Sequence, residues 1–196
     1  MGGTHQPVID PARVVGWLAV LWASFLLTGI LVATVGIDLR LRLGLWPRDW
    51  HGLLGILTAP LVHADLRHLI GNSLALLPLG WIACRYSRKL TMVAVITSML
   101  GSGVLAWTLG TPGVPHIGAS GVVFGLIGFL ILNGLVRGGC WPLAITLVVG
   151  FLFGGAIFTV LQTRTQDGQQ LSWQMHLGGL IGGAAAAWHR RKVKPG

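Results

Sequence analysis

The chain has 196 residues, 53% of them hydrophobic and 10% charged, with a mean hydropathy of +0.74. That balance excludes a soluble globular domain and points to one polytopic, all-helical membrane domain over residues 1–196, with little extramembrane mass. The formal charge of +9 sits in short basic clusters at the ends of apolar runs, a pattern of membrane orientation and not of nucleic-acid binding.

Six spanning helices are expected. The first, Val14–Val35, is too long for a signal-peptide core and has no basic leader before it, so it reads as a retained transmembrane helix. An external loop over residues 36–64 follows. It carries Trp46 and Trp50 and is partly apolar (Leu53, Leu54, Ile56, Leu57), which places it in the membrane interface. The second span, Leu66–Cys84, holds His68 and Asn72 one turn apart; the third is Thr91–Leu109. Residues 110–118, rich in helix breakers, come next. The fourth span, Ser120–Leu135, is roughly 24 Å long against a hydrocarbon core of ~30 Å. A short helix after such a loop implies that non-helical backbone descends into the protein, where it is shielded or lines a wet cavity. The fifth and sixth spans are Trp141–Leu161 and Gln170–Trp188, the latter followed by a basic tail over residues 189–196.

One side of this arrangement gathers Arg13, Arg85, Arg88, Lys89, Arg137, Arg190, Arg191, Lys192 and Lys194 with Asp10 alone against them. The other side mixes five basic residues with four acidic ones. Both termini, including the short segment 1–13, are therefore expected in the cytoplasm. Cys84 and Cys140 both fall near cytoplasmic helix ends and lack metal-ligand spacing, so neither a disulfide nor a thiol centre is expected. No metal and no cofactor is expected.

The basic helix ends also provide a ruler. At 1.5 Å per residue, His68 and Asn72 stand about 25 and 20 Å from Arg85, Ser120 about 25 Å from Arg137, and His176 about 21 Å from Arg190. All four polar groups fall in one buried layer, and polar groups at that depth read by default as a functional site. Ser120 is a candidate nucleophile and His176 the candidate base that activates it. Gly121-xxx-Gly125 on the fourth span and Gly179-xxx-Gly183 on the sixth have the spacing of closely packed membrane helices. The chain has no glutamate and its five aspartates lie in loops, at a helix edge or in the tail, so a Ser–His dyad is the economical reading. Phe124, one turn after Ser120, can pack on the imidazole. His68 and Asn72 share one helix face and, with the Ser120 amide, can donate to an oxyanion. The plainer readings are helix-packing roles for the glycines, a solvated or capping His63, and a loop-stabilising His116.

These residues resemble the rhomboid family of intramembrane serine proteases. Gly118-Ala119-Ser120-Gly121 is similar to its GxSG motif, His68-Leu69-Ile70-Gly71-Asn72 to its second-helix pattern, and His176 through Gly183 to its HxxGxxxG. The resemblance implies a six-helix bundle in a bacterial inner membrane, with its site opening to the outer side. Ser120 and His176 would be catalytic, and His68, Asn72 and the Ser120 amide would bind the oxyanion. Gly118, Gly121, Phe124, Gly179 and Gly183 would support them. Single-span membrane proteins would be the substrates, and a mobile fifth helix with the loop around Thr163–Gln170 would gate access. The family's Trp-Arg pair is represented only by Trp46-Pro47-Arg48, to which no functional weight is given, and its common tyrosine is here Phe124. The competing functions are a non-catalytic chaperone or scaffold on the same fold, and a transporter lined by His63, His68, His116 and His176. The absence of intramembrane carboxylates speaks against the transporter, and the absence of any glutamate excludes an HExxH zinc protease.

Overall fold

In the computed structural model, which describes residues 12–158 and 171–191, the chain is helical with no β-strand among those residues. The long helices are α1 (Ala12–Val35), α4 (Leu66–Tyr86), α5 (Arg88–Leu109), α6 (Ser120–Arg137), α7 (Cys140–Phe158) and α8 (Trp173–Arg191). They match the six expected spans to within a few residues at each described end. The expected fifth-span end at Leu161 and sixth-span start at Gln170 lie outside the described residues.

Four of the six, α1, α5, α6 and α7, are long and apolar enough to cross a membrane. A fifth candidate appears if α4 is joined to the helical turns over Trp50–Leu61, from which it bends by 70°. The helices that fall short alone, α4 and α8, are the two that carry His68, Asn72, Gln174 and His176. Polar site residues and glycines dilute their apolarity.

Helix α6 is the axis of the bundle: every residue from Gly121 to Leu130 is buried. Around it, α5 and α8 run antiparallel, with Gly101 against Gly178 and the Thr97 hydroxyl donating to the Gly182 carbonyl at 2.8 Å. Helices α6 and α8 run parallel, Gly121 facing Gly179 and Gly125 facing Gly183. Ser87 alone joins α4 to α5, ending one helix and capping the next through Leu90 N–H. Helix α1 lies against α4, with Val14 beside Gly80 and Trp22 Nε1 donating to Ser73 at 3.1 Å. These directions bring the ends carrying Arg85, Arg88, Lys89 and Arg137 to one face, as the ruler required. Helix α7 is held more lightly. It packs on α6, where Pro142 sits against Gly134, and only Val149 is buried along its length.

At the opposite face the loop over residues 36–65 folds into short turns: α2 (Leu39–Leu43), a 3-10 turn (Trp50–Leu54), α3 (Gly55–Thr58) and a second 3-10 turn (Ala59–Leu61). Asp38, Asp49 and Asp65 cap α2, the first 3-10 turn and α4, and a bidentate Asp38–Arg40 pair holds Asp38 below and Arg40 above their usual pKa values. The loop is clamped on α5 by Ile56 against Gly103, and by the Trp107 indole donating to Asp49 O at 3.0 Å. Arg48 adds bonds to Trp107 O and Gly110 O. It is the one non-glycine residue with positive φ (59°) among those described, so Trp46-Pro47-Arg48 is a built clamp that the sequence reading left without weight. Trp50, Leu54 and Leu57 point outward.

Candidate active site

The breaker-rich loop before α6 enters the protein and has its backbone satisfied there. His116 exchanges two hydrogen bonds with Leu45, at 2.9 and 2.8 Å, and Gly118 N–H donates to Ala59 O at 2.9 Å. Shielded, bonded backbone of this kind is what a non-helical segment at membrane depth requires. Gly118 has φ +105°, a conformation open to glycine, and a Cβ there would strike the His68 ring, 2.6 Å from Nε2. The loop thus delivers Ser120 as the first residue of α6, with an amide that has no intrahelical acceptor.

On α8, His176 is 5% exposed, and its Nε2 lies 3.1 Å from Ser120 Oγ. Its ring stacks on Phe124 at 4.3 Å with 18° between planes. Accepting the serine proton at Nε2 requires the tautomer that carries hydrogen on Nδ1, and that buried atom has no partner among the described residues. Aromatic packing, not a carboxylate, orients this imidazole. The close approach comes from the four glycines singled out in the sequence. A Cβ on Gly179 would collide with the Gly121 carbonyl, and one on Gly183 with the backbone of Gly125.

Helix α5 completes the seam with two serines the sequence reading passed over. Ser102 donates to Met175 O at 2.8 Å, and Ser98 lies against Gly125. Their signal was available, since Ser98 and Ser102 are four apart on one face.

On α4, Asp65 accepts from the His68 amide at 2.8 Å and fixes the first turn. The His68 ring then packs against Gly118, next to the serine. Asn72 is buried one turn further along, and its Nδ2 has no partner among the described residues. His63 departs from expectation. It is 2% exposed, its Nε2 accepts from Ala119 N–H at 3.4 Å, and its ring meets His68 edge-on at 5.1 Å. A bend of 70° between two helical pieces buried it, and nothing local in the sequence announces such a bend. His116 sits in the loop with its Nδ1 on the hydroxyl of Ser172, the residue just before α8. The loop around Thr163–Gln170 lies outside the described residues.

The arrangement is matched by the family model of the Rhomboid domain over residues 50–193. The chain belongs to the rhomboid family. It is 39% identical over 153 residues to an uncharacterized protein of Mycobacterium bovis and, equally, to one of Mycobacterium tuberculosis, covering 74% of this chain and 62% of each relative. An uncharacterized protein of Mycobacterium leprae is 38% identical over 144 residues, 69% of this chain and 55% of the relative. The chain therefore spans less than two thirds of the length of these relatives. Rhomboid membership and the apolar helices make the protein an integral membrane protein of an intramembrane-protease family.

Proposed function

We propose that this rhomboid is an active intramembrane serine endopeptidase that cleaves single-span membrane proteins, with Ser120 as nucleophile and His176 as general base and then acid. The observation that carries the reading is the 3.1 Å approach of Ser120 Oγ to His176 Nε2, from two helices in backbone contact.

In this mechanism Nε2 takes the hydroxyl proton as Oγ bonds the scissile carbonyl carbon. The carbonyl π electrons move to oxygen, and the oxyanion is met by the Ser120 amide, His68 and Asn72. The unpartnered Asn72 amide supports that role, because a buried donor left unsatisfied costs about 1–3 kcal/mol. The imidazolium then gives its proton to the leaving amine nitrogen as the C–N bond breaks. Water, deprotonated by the same imidazole, hydrolyses the acyl-serine. The reading places six spans in the membrane, both termini on the basic, cytoplasmic side, and the serine near the outer face of a bacterial inner membrane.

Labelling in detergent with a fluorescent fluorophosphonate tests it. Wild type is expected to label and to cut a model single-span substrate, while Ser120→Ala and His176→Ala, still folded, lose both. Cleavage that survives Ser120→Ala refutes the nucleophile. A scaffold would keep its function in both variants, and a transporter would keep liposome flux after Ser120→Ala.

A further inference from the structure

At the basic face, far from the dyad, Arg85 and Tyr86 at the end of α4, Arg137 at the end of α6, and Trp141, Pro142 and Ile145 in the first turns of α7 enclose a groove of about 250 Å³. A single water needs roughly 10–15 Å³, so the groove has room for a polar headgroup. The proposed proteolysis uses none of these residues. The Arg137 guanidinium lies 5.3 Å over the Tyr86 ring centroid, and the buried Tyr86 hydroxyl has no hydrogen-bond partner among the described residues. Among the described residues no carboxylate pairs with either arginine. The described aspartates, Asp38, Asp49 and Asp65, are engaged as caps at the opposite face.

Two planar guanidinium forks and a phenol hydroxyl therefore line one groove with no acceptor among the described residues, and the chemistry they match is a phosphate oxyanion. The far wall is apolar. It continues from Trp141, Pro142 and Ile145 along the outward side of α7, where Leu147, Val148, Phe151 and Leu152 are exposed. A ligand that uses both walls carries a phosphate and acyl chains together. Basic pockets between helices at the membrane edge take such headgroups.

We infer that this groove is a binding site for an anionic phospholipid of the leaflet at the basic face, its phosphate held by Arg85, Arg137 and Tyr86. The test is native mass spectrometry of the full chain from micelles containing equal phosphatidylglycerol and phosphatidylcholine, with and without excess inorganic phosphate. Wild type is expected to retain phosphatidylglycerol about tenfold or more over phosphatidylcholine, since each basic contact adds roughly fivefold. Arg85→Gln/Arg137→Gln should lose most of that preference. Arg88→Gln/Lys89→Gln, which removes equal charge outside the groove, should keep it. Tyr86→Phe, the mildest change, should weaken it several-fold with the helix content unaltered.

Equal loss in the two double variants would reduce the effect to diffuse surface charge and overturn the site. So would an unchanged preference in Arg85→Gln/Arg137→Gln, or in Tyr86→Phe should that double variant fail to fold. Displacement of the lipid by inorganic phosphate would assign the arginines to a free anion instead.

Discussion

Phe124 illustrates how a single ring can stand in for a missing carboxylate. In a triad an aspartate holds the imidazole in place; here His176 Nδ1 has no acceptor among the described residues, and the ring lies flat on Phe124. Aromatic pairs of this kind contribute about 0.5–1.5 kcal/mol beyond area burial. Phe124→Leu is therefore expected to slow fluorophosphonate labelling about 2–12-fold, as read by labelling time courses, while Phe124→Tyr retains the rate. A second residue-scale effect concerns pH. Burial pushes His116 below its ordinary pKa of 6.5, so the folded protein binds a proton less readily at this site than the unfolded chain. The stability this gives is full above the unfolded value and is lost as pH falls through and below it, toward the folded one. Thermal midpoints should decline from about pH 7.5 to about pH 5. His116→Gln should remove part of that slope, the buried His63 supplying the same sign of dependence, while lowering the midpoint through loss of the Ser172 contact.

Among the helices, the seam of α6 with α8 is the element on which the rest depends. The backbone of Gly125 occupies the space a side chain on Gly183 would need, so Gly183→Leu must push the helices apart. Overpacking costs typically 1–3 kcal/mol, and each kcal/mol moves the midpoint of a chain this size by about 2–4 °C, so a drop of about 2–12 °C is expected by scanning fluorimetry. Gly154→Ala on α7, where a Cβ meets nothing within 4 Å, should leave it unchanged or slightly raised. This seam was legible in the sequence because a glycine every fourth residue, in an otherwise apolar helix beside a serine or histidine, has few other uses. The positions of Ser120, His176 and Phe124 followed from helical spacing for the same reason. The burial of His63 and the clamp at Arg48 were not legible. Both follow from how the loop over residues 36–65 turns back on α4 and α5, a matter of long-range docking that no short periodicity encodes.

Taken whole, the molecule separates its tasks by depth. The layer of Ser120 and His176 lies toward the capped, clamped loop end, and the guanidinium groups lie toward the other. Six long helices could be drawn from hydropathy and helix breakers. Among the described helices four are long and apolar enough to cross a membrane, or five with α4 joined to the turns before it, and α4 and α8 are made less apolar by His68, Asn72, Gln174 and His176. Between these ends, α6 and α8 run side by side in the same direction, backbone against backbone, and this contact has a thermal consequence. The gap between hydroxyl and imidazole is set as a caliper sets a width, by the frame, with Phe124 steadying one tip. Warming can widen it only by parting the two helices or by lifting the imidazole off Phe124, and both are losses of the packed bundle. Labelling competence and helical ellipticity should therefore vanish along one superimposable curve, with no premelting interval in which an intact bundle has already gone silent.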